Sequence, residues 1–124
     1  MGRASDDRTD IRASAALTAT YTSSAVSNDT PLRFGQIVVN VSAFTSGSIT
    51  PKIEAYDPAS GTYYTLLTGA AISATGQTVL KIGPGITASA NVAVADFLPA
   101  QWRVVLTAAG GTALTCSVGA NLAP

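Results

Sequence analysis

Apolar and polar residues alternate at every second position through most of this chain, in short runs separated by Gly, Pro, Asn, Asp and Ser. A period of two sends successive side chains to opposite faces of an extended strand, so the pattern predicts strands and not helices. Residues 13–23 set Ala15, Leu17, Ala19 and Tyr21 against Ala16, Thr18, Thr20 and Thr22, and Ser-Asn-Asp-Thr-Pro at 27–31 reads as a turn. The clearest strand covers residues 34–44, with Ile37, Val39, Val41 and Ala43 on one face and Gln36, Asn40 and Ser42 on the other. Residues 45–48 are expected to turn the chain into a strand over 49–56. There Ile53 and Ala55 point inward and Lys52, Glu54 and Tyr56 outward.

Two glycine-bearing turns follow. In Asp57-Pro58-Ala59-Ser60-Gly61 the Asp opens the turn, Pro presets φ and Gly accepts a positive φ, so residues 62–67 should return antiparallel beside 49–56. A short apolar step at 69–74, a strand at 78–82, a Gly83-Pro84-Gly85 break and a long connection over 86–98 come next. Gln101 to Ala108 alternates again, with Trp102, Val104 and Leu106 on one side. Gly110-Gly111 is expected to close a hairpin into residues 112–122, since both positions tolerate φ > 0. About eight short strands with frequent turns describe an all-β fold, an antiparallel β-sandwich or jelly-roll-like domain. The few aromatics, Phe34, Phe44, Tyr64, Phe97 and Trp102, are the expected core anchors.

Charge divides the chain in two. Arg3, Asp6, Asp7, Arg8, Asp10 and Arg12 crowd the first twelve residues, which read as a flexible arm (1–12) ahead of a single domain (13–124). Beyond them stand only Arg33, Lys52, Lys81 and Arg103 against Asp29, Glu54, Asp57 and Asp96. Charged residues make up 11% of the whole chain, against about 25% in an ordinary soluble domain. Such a surface packs against copies of itself without stranding ions. Zero net charge removes the electrostatic footprint of nucleic-acid binding, and no apolar run reaches the roughly 18 residues of a membrane helix. With no apolar leader at the amino terminus, synthesis is expected in a cytoplasm.

Catalytic chemistry finds few residues to work with. There is no histidine, and the single cysteine, Cys116, alternates with Leu114 and Val118 as a buried small hydrophobe. Glu54 and Asp57 stand three apart on a strand entering a turn and cannot flank one bond; Asp6, Asp7 and Asp10 are interrupted by arginines. The expectation is a protein that is not an enzyme and needs no cofactor or metal. Tyr56, Tyr63 and Tyr64 bracket the hairpin, either pairing across strands or meeting a partner. Arg3, Arg8 and Arg12 of the arm, with Tyr56 and Tyr63, are the candidate partner-binding residues.

The run Ile-Glu-Ala-Tyr-Asp-Pro-Ala-Ser-Gly-Thr-Tyr-Tyr-Thr-Leu-Leu (53–67) carries a resemblance, continued by Ala-Ala-Ile-Ser-Ala-Thr-Gly (70–76) and Val-Leu-Lys-Ile-Gly-Pro-Gly-Ile (79–86). Leu-Pro-Ala-Gln-Trp-Arg-Val (98–104) and Thr-Cys-Ser-Val-Gly-Ala-Asn-Leu (115–122) complete it. In this order the segments resemble a family of small β-sandwich virion structural proteins of tailed phages and prophages. The resemblance implies a capsid decoration (cement) protein on the virion surface, with the major capsid protein and copies of itself as partners, a trimer being the favoured oligomer. It implies no catalytic residues and leaves the arm aside. The alternatives are a tail or tail-fibre-associated structural protein and, from another class, a carbohydrate-binding module.

Overall fold

Alternation becomes extended chain in the computed structural model, which describes residues 7–27 and 32–124. Its strands are β1 (Asp7–Leu17), β2 (Tyr21–Thr22), β3 (Val26–Ser27), β4 (Phe34–Asp57), β5 (Thr62–Thr68), β6 (Gly76–Ile82), β7 (Ala93–Val94) and β8 (Gln101–Ala123). Together they make one hydrogen-bonded sheet, and no helix occurs among the described residues. The class is all-β, as the periodicity predicted. Every pairing is antiparallel except the two-residue contact of β7 with β6, which is parallel.

β4 and β8 run 24 and 23 residues, where a strand is usually about 5–6. They pair along nearly their whole lengths, from Phe34 opposite Ala123 to Ala55 opposite Trp102. Residues 34–46 of β4 and 113–123 of β8, flanked by β6 and β1, form one half of the sheet. Residues 48–57 and 101–109, flanked by β5 and by β2 and β3, form the other.

The register shifts twice at the end of the first half, after Val41 and after Phe44, and again between Ser46 and Ser48 at the corner that joins the halves. There Gly47, Gly110 and Gly111 adopt φ of +77°, +72° and +67°. Only glycine enters that region freely, and a Cβ on Gly47 would lie 2.5 Å from the Thr112 Cα. Thr112 ties the corner together. Its hydroxyl accepts the Ala109 N–H at 3.1 Å and lies 2.9 Å from the Ser48 carbonyl, to which it donates; Ser46 donates to the Gly111 carbonyl at 2.8 Å. The hairpin expected at Gly110-Gly111 is therefore absent, and residues 45–48 do not reverse the chain either. Both segments flanking each glycine site find their partner in the other long strand, so positive φ is used to bend a strand.

Inward-facing residues of both halves belong to one buried cluster. Ile37, Val39, Leu80 and Val118 come from the first half, and Ile53, Trp102, Val104 and Leu106 from the second. Gly69 lies against Pro51 of the second half and Leu80 of the first, so the two inner faces meet. The sheet doubles over at the corner and makes both layers of a sandwich from one set of hydrogen bonds. Its accessible surface of 6321 Å² is near the roughly 6,200 Å² of a compact monomer of this mass, which a flat single layer would exceed.

Two expectations for the aromatics are corrected. Trp102 is fully buried and Phe34 and Phe44 are half-buried, but Tyr64 is 48% and Phe97 54% exposed. Tyr64 lies on β5, an edge strand that overhangs the core, and Leu98, only 3% exposed, fills the space expected for Phe97. The arm boundary moves as well. β1 begins at Asp7, so residues 7–12 pair with β8, Arg8 opposite Asn121 and Arg12 opposite Val118, while Ile11 packs against the core. Arg3 lies outside the described residues, as do residues 28–31 of the expected turn.

Candidate interaction face

On the outer face of the second layer, the outward positions of three strands come together. β4 contributes Lys52, Glu54 and Tyr56, β5 contributes Tyr63 opposite Tyr56, and β8 contributes Gln101 and Arg103, the latter opposite Glu54. The hairpin that joins β4 to β5 sets this register. Gly61 N–H donates to the Asp57 carbonyl at 2.9 Å, and the Asp57 carboxylate accepts the Ala59 N–H at 3.1 Å and the Ser60 hydroxyl at 2.8 Å. Gly61 sits at φ +71°, as the Asp-Pro-Ala-Ser-Gly sequence predicted.

Within the patch each charged head has a partner. Arg103 Nε donates to Glu54 Oε1 at 2.7 Å, and Lys52 Nζ reaches Glu54 Oε2 at 3.2 Å. The Arg103 guanidinium lies over the Tyr63 ring, 3.8 Å from its centroid, a cation–π contact. Tyr56 stands beside Tyr63 with centroids 5.2 Å apart and planes tilted by 58°. Gln101 Nε2 donates to the Tyr63 hydroxyl at 3.0 Å. Burial pushes the Glu54 carboxyl up, but the hydrogen bonds and charges of Arg103 and Lys52 outweigh it and hold the pKa below the ordinary value. The Asp57 carboxyl is also held low, first by the Ser60 hydroxyl and then by the Ala59 N–H.

The five residues singled out from the sequence do not form one site. Tyr56 and Tyr63 meet in this patch. Arg8 is exposed on β1, which flanks the first layer. Arg12 turns inward at an irregularity of β1, donating to the Ala15 and Ala16 carbonyls at 3.3 and 3.0 Å and lying 4.6 Å over the Tyr21 ring. Its charge also faces Cys116, whose thiol burial pushes up while Arg12 pulls it down. Lys52, Glu54, Gln101 and Arg103 went unrecognised as partners of the tyrosines. The available signal was parity: each lies on the outward positions of its strand, but the pairing of β4 with β8 that joins them was not legible.

The outer face of the first layer is uncharged over its centre, where Val38 lies between Gly119 and Val79, and Asn40 between Ser117 and Gln77, and carries Lys81, Arg8 and Asp10 around it. Among the described residues no three His, Cys, Asp or Glu side chains gather as a metal site, and no helix is long and apolar enough to cross a membrane. Comparison with known protein families, with curated proteins and with solved structures finds no match to this chain.

Proposed function

We propose that the chain is a structural virion protein of a tailed phage, a capsid decoration protein that binds the shell in many copies and stabilises it. The observation that carries this reading is one ordered patch, Tyr56, Tyr63 and Arg103, on a sandwich otherwise poor in charge. Tyr and Arg are the residue types enriched where protein interfaces concentrate their binding energy. Here they are held by Glu54 and Gln101 before any partner arrives, so docking costs little side-chain entropy. The centre of the first layer is uncharged and suited to burial against a neighbouring subunit, with Arg8, Asp10 and Lys81 at its margin. The work assigned to the protein is binding, with the major capsid protein as the partner of the patch.

Capsids stripped of the chain and re-decorated with purified protein test this. Wild-type protein is expected to raise their tolerance of heat and dilution, and Tyr63→Ala with Arg103→Ala to cut occupancy by at least about tenfold. Capsids equally robust with and without the chain would reject a cementing role. Removing residues 1–6 is the truncation that spares β1, and it is expected to weaken binding most at low salt if Arg3 contributes. Copy number separates shell from tail: hundreds per particle fit the shell, and a handful fit a tail component. A carbohydrate-binding role on Tyr56, Tyr63 and Tyr64 has less support, because Arg103 covers one face of Tyr63, Tyr56 is tilted by 58° to it, and Tyr64, opposite Ala55, has the other strand parity.

A further inference from the structure

Phe97 is the most exposed of the large apolar side chains in the described residues. It stands on the rim of a groove of about 630 Å³ at the open end of the sandwich. Three stretches converge there: residues 32–33 entering β4, residues 84–85 leaving β6 and residues 95–100 leading into β8. Leu32, Pro84, Ala95, Leu98 and Pro99 make the lining apolar. The ring is presented by an anchored segment. Leu98, the next residue, is buried and its N–H donates to the Arg33 carbonyl at 3.0 Å, while Asp96 Oδ1 accepts the Phe97 N–H at 2.8 Å.

The groove also carries one charge of each sign, Arg33 and Asp96, both exposed. Among the described residues no ion pair joins them. An acidic or a basic partner would satisfy only half of this rim. A second copy of the same chain offers both charges, and a twofold axis that set each Arg33 against the other copy's Asp96 would satisfy both halves. The chain's net charge of zero adds no repulsion between copies.

We propose that this groove is a self-association site, in which each of two copies places its Phe97 in the other's groove and pairs its Asp96 with the other's Arg33. The site is separate from the Tyr56–Tyr63–Arg103 patch. It supplies a contact between copies for the many-copy reading above, yet it is read on the free chain. Its failure and the failure of the shell reading are therefore distinguishable.

Sedimentation of the full chain between roughly 1 and 100 μM is the measurement, a range that brackets contacts of modest area. A concentration-dependent dimer is expected. Phe97→Ser is expected to weaken it by at least about tenfold with Trp102 emission unchanged, because an exposed side chain is removed. Arg33→Glu should also weaken it, and adding Asp96→Lys to that variant should restore it by reversing the pair. A chain that stays monomeric at the top of this range overturns the proposal. So does a dimer indifferent to Phe97→Ser, or a double reversal that recovers nothing.

Discussion

The two layers share β4, β8 and a core, and they differ in what they show to the outside. Their inner faces are of one kind, branched aliphatics at alternate positions, with Ile37 and Val39 in the first layer and Ile53 and Val104 in the second. Outside, the first layer presents Val38, Asn40, Ser117 and Gly119 at its centre, and the second presents Lys52, Glu54, Tyr56, Tyr63 and Arg103. Stability therefore belongs to an inward parity common to both layers. The outward parity carries a linked charged and aromatic network in the second layer and, in the first, charges only at the margins, Lys81, Arg8 and Asp10. The second layer can carry charge because Glu54 and Arg103 lie directly opposite each other across β4 and β8, where opposite charges support the sheet.

A shared core is the part of this comparison most open to attack. Ile37→Ala and Ile53→Ala each remove a side chain with no exposed surface, one per layer, and each is expected to cost about 2–5 kcal/mol. Trp102, the only tryptophan, sits in the second layer and reports unfolding by fluorescence. If the core is common, Ile37→Ala shifts the Trp102 transition to lower denaturant as Ile53→Ala does. Two separated transitions in either variant would mean that the layers fold as distinct units.

The corner that joins the layers comes next. Gly47→Ala places a Cβ within 2.5 Å of the Thr112 Cα at a φ of +77°, so strain and collision add and the cost is expected to exceed about 2 kcal/mol. Gly111→Ala has a similar φ of +67° but open space around the new methyl, and is expected to cost about 1–2 kcal/mol. Thr112→Val keeps the shape and removes the hydroxyl that bridges Ala109 and Ser48, at about 1–3 kcal/mol. Thermal denaturation of the three variants checks the ranking, and equal losses at Gly47 and Gly111 would count against close packing at the corner.

That corner also shows where local reading stops. Asp57 to Gly61 was legible because one segment contains every hydrogen bond that closes the turn. Gly110-Gly111 carries the same backbone permission, but whether φ > 0 reverses a strand or bends it depends on which partner the flanking residues find. Here that partner is β4, more than fifty residues away in the chain. Phe97 failed as a core anchor for a related reason. Apolar character says a side chain gains by leaving water, but not whether Leu98 beside it takes the interior first. In the candidate site, Tyr56 and Tyr63 were legible through their hairpin, while Arg103 reached them only through the β4–β8 register. Parity held along the long strands on either side of the corner, with Ile37, Val39 and Val41 inward before it and Ile53, Ala55, Trp102 and Val104 inward after it. Ala43, expected inward, is exposed because the register shifts after Val41.

The smallest effect concerns the charged network itself. Glu54 has a folded-state pKa held below its ordinary value of 4.5 by Arg103 and Lys52, against the upward push of burial. A carboxyl lowered on folding contributes stability that is fully present above the unfolded value and lost as pH falls through the folded one. The contribution is therefore complete above pH 4.5 and disappears below it. Its size should stay under about 1 kcal/mol, since the pair is near the surface and screened by salt. Glu54→Gln keeps the shape without the charge, and it is expected to lower stability slightly at neutral pH and to flatten part of the acid limb. Asp57, also held low, remains in that variant, so some acid dependence persists. Denaturant titrations of both proteins at pH 7 and pH 3 provide the check. An unchanged difference between the two pH values in Glu54→Gln would show that the network orders Arg103 without stabilising the fold, and would reduce the contrast between the outer faces to one of side-chain order alone.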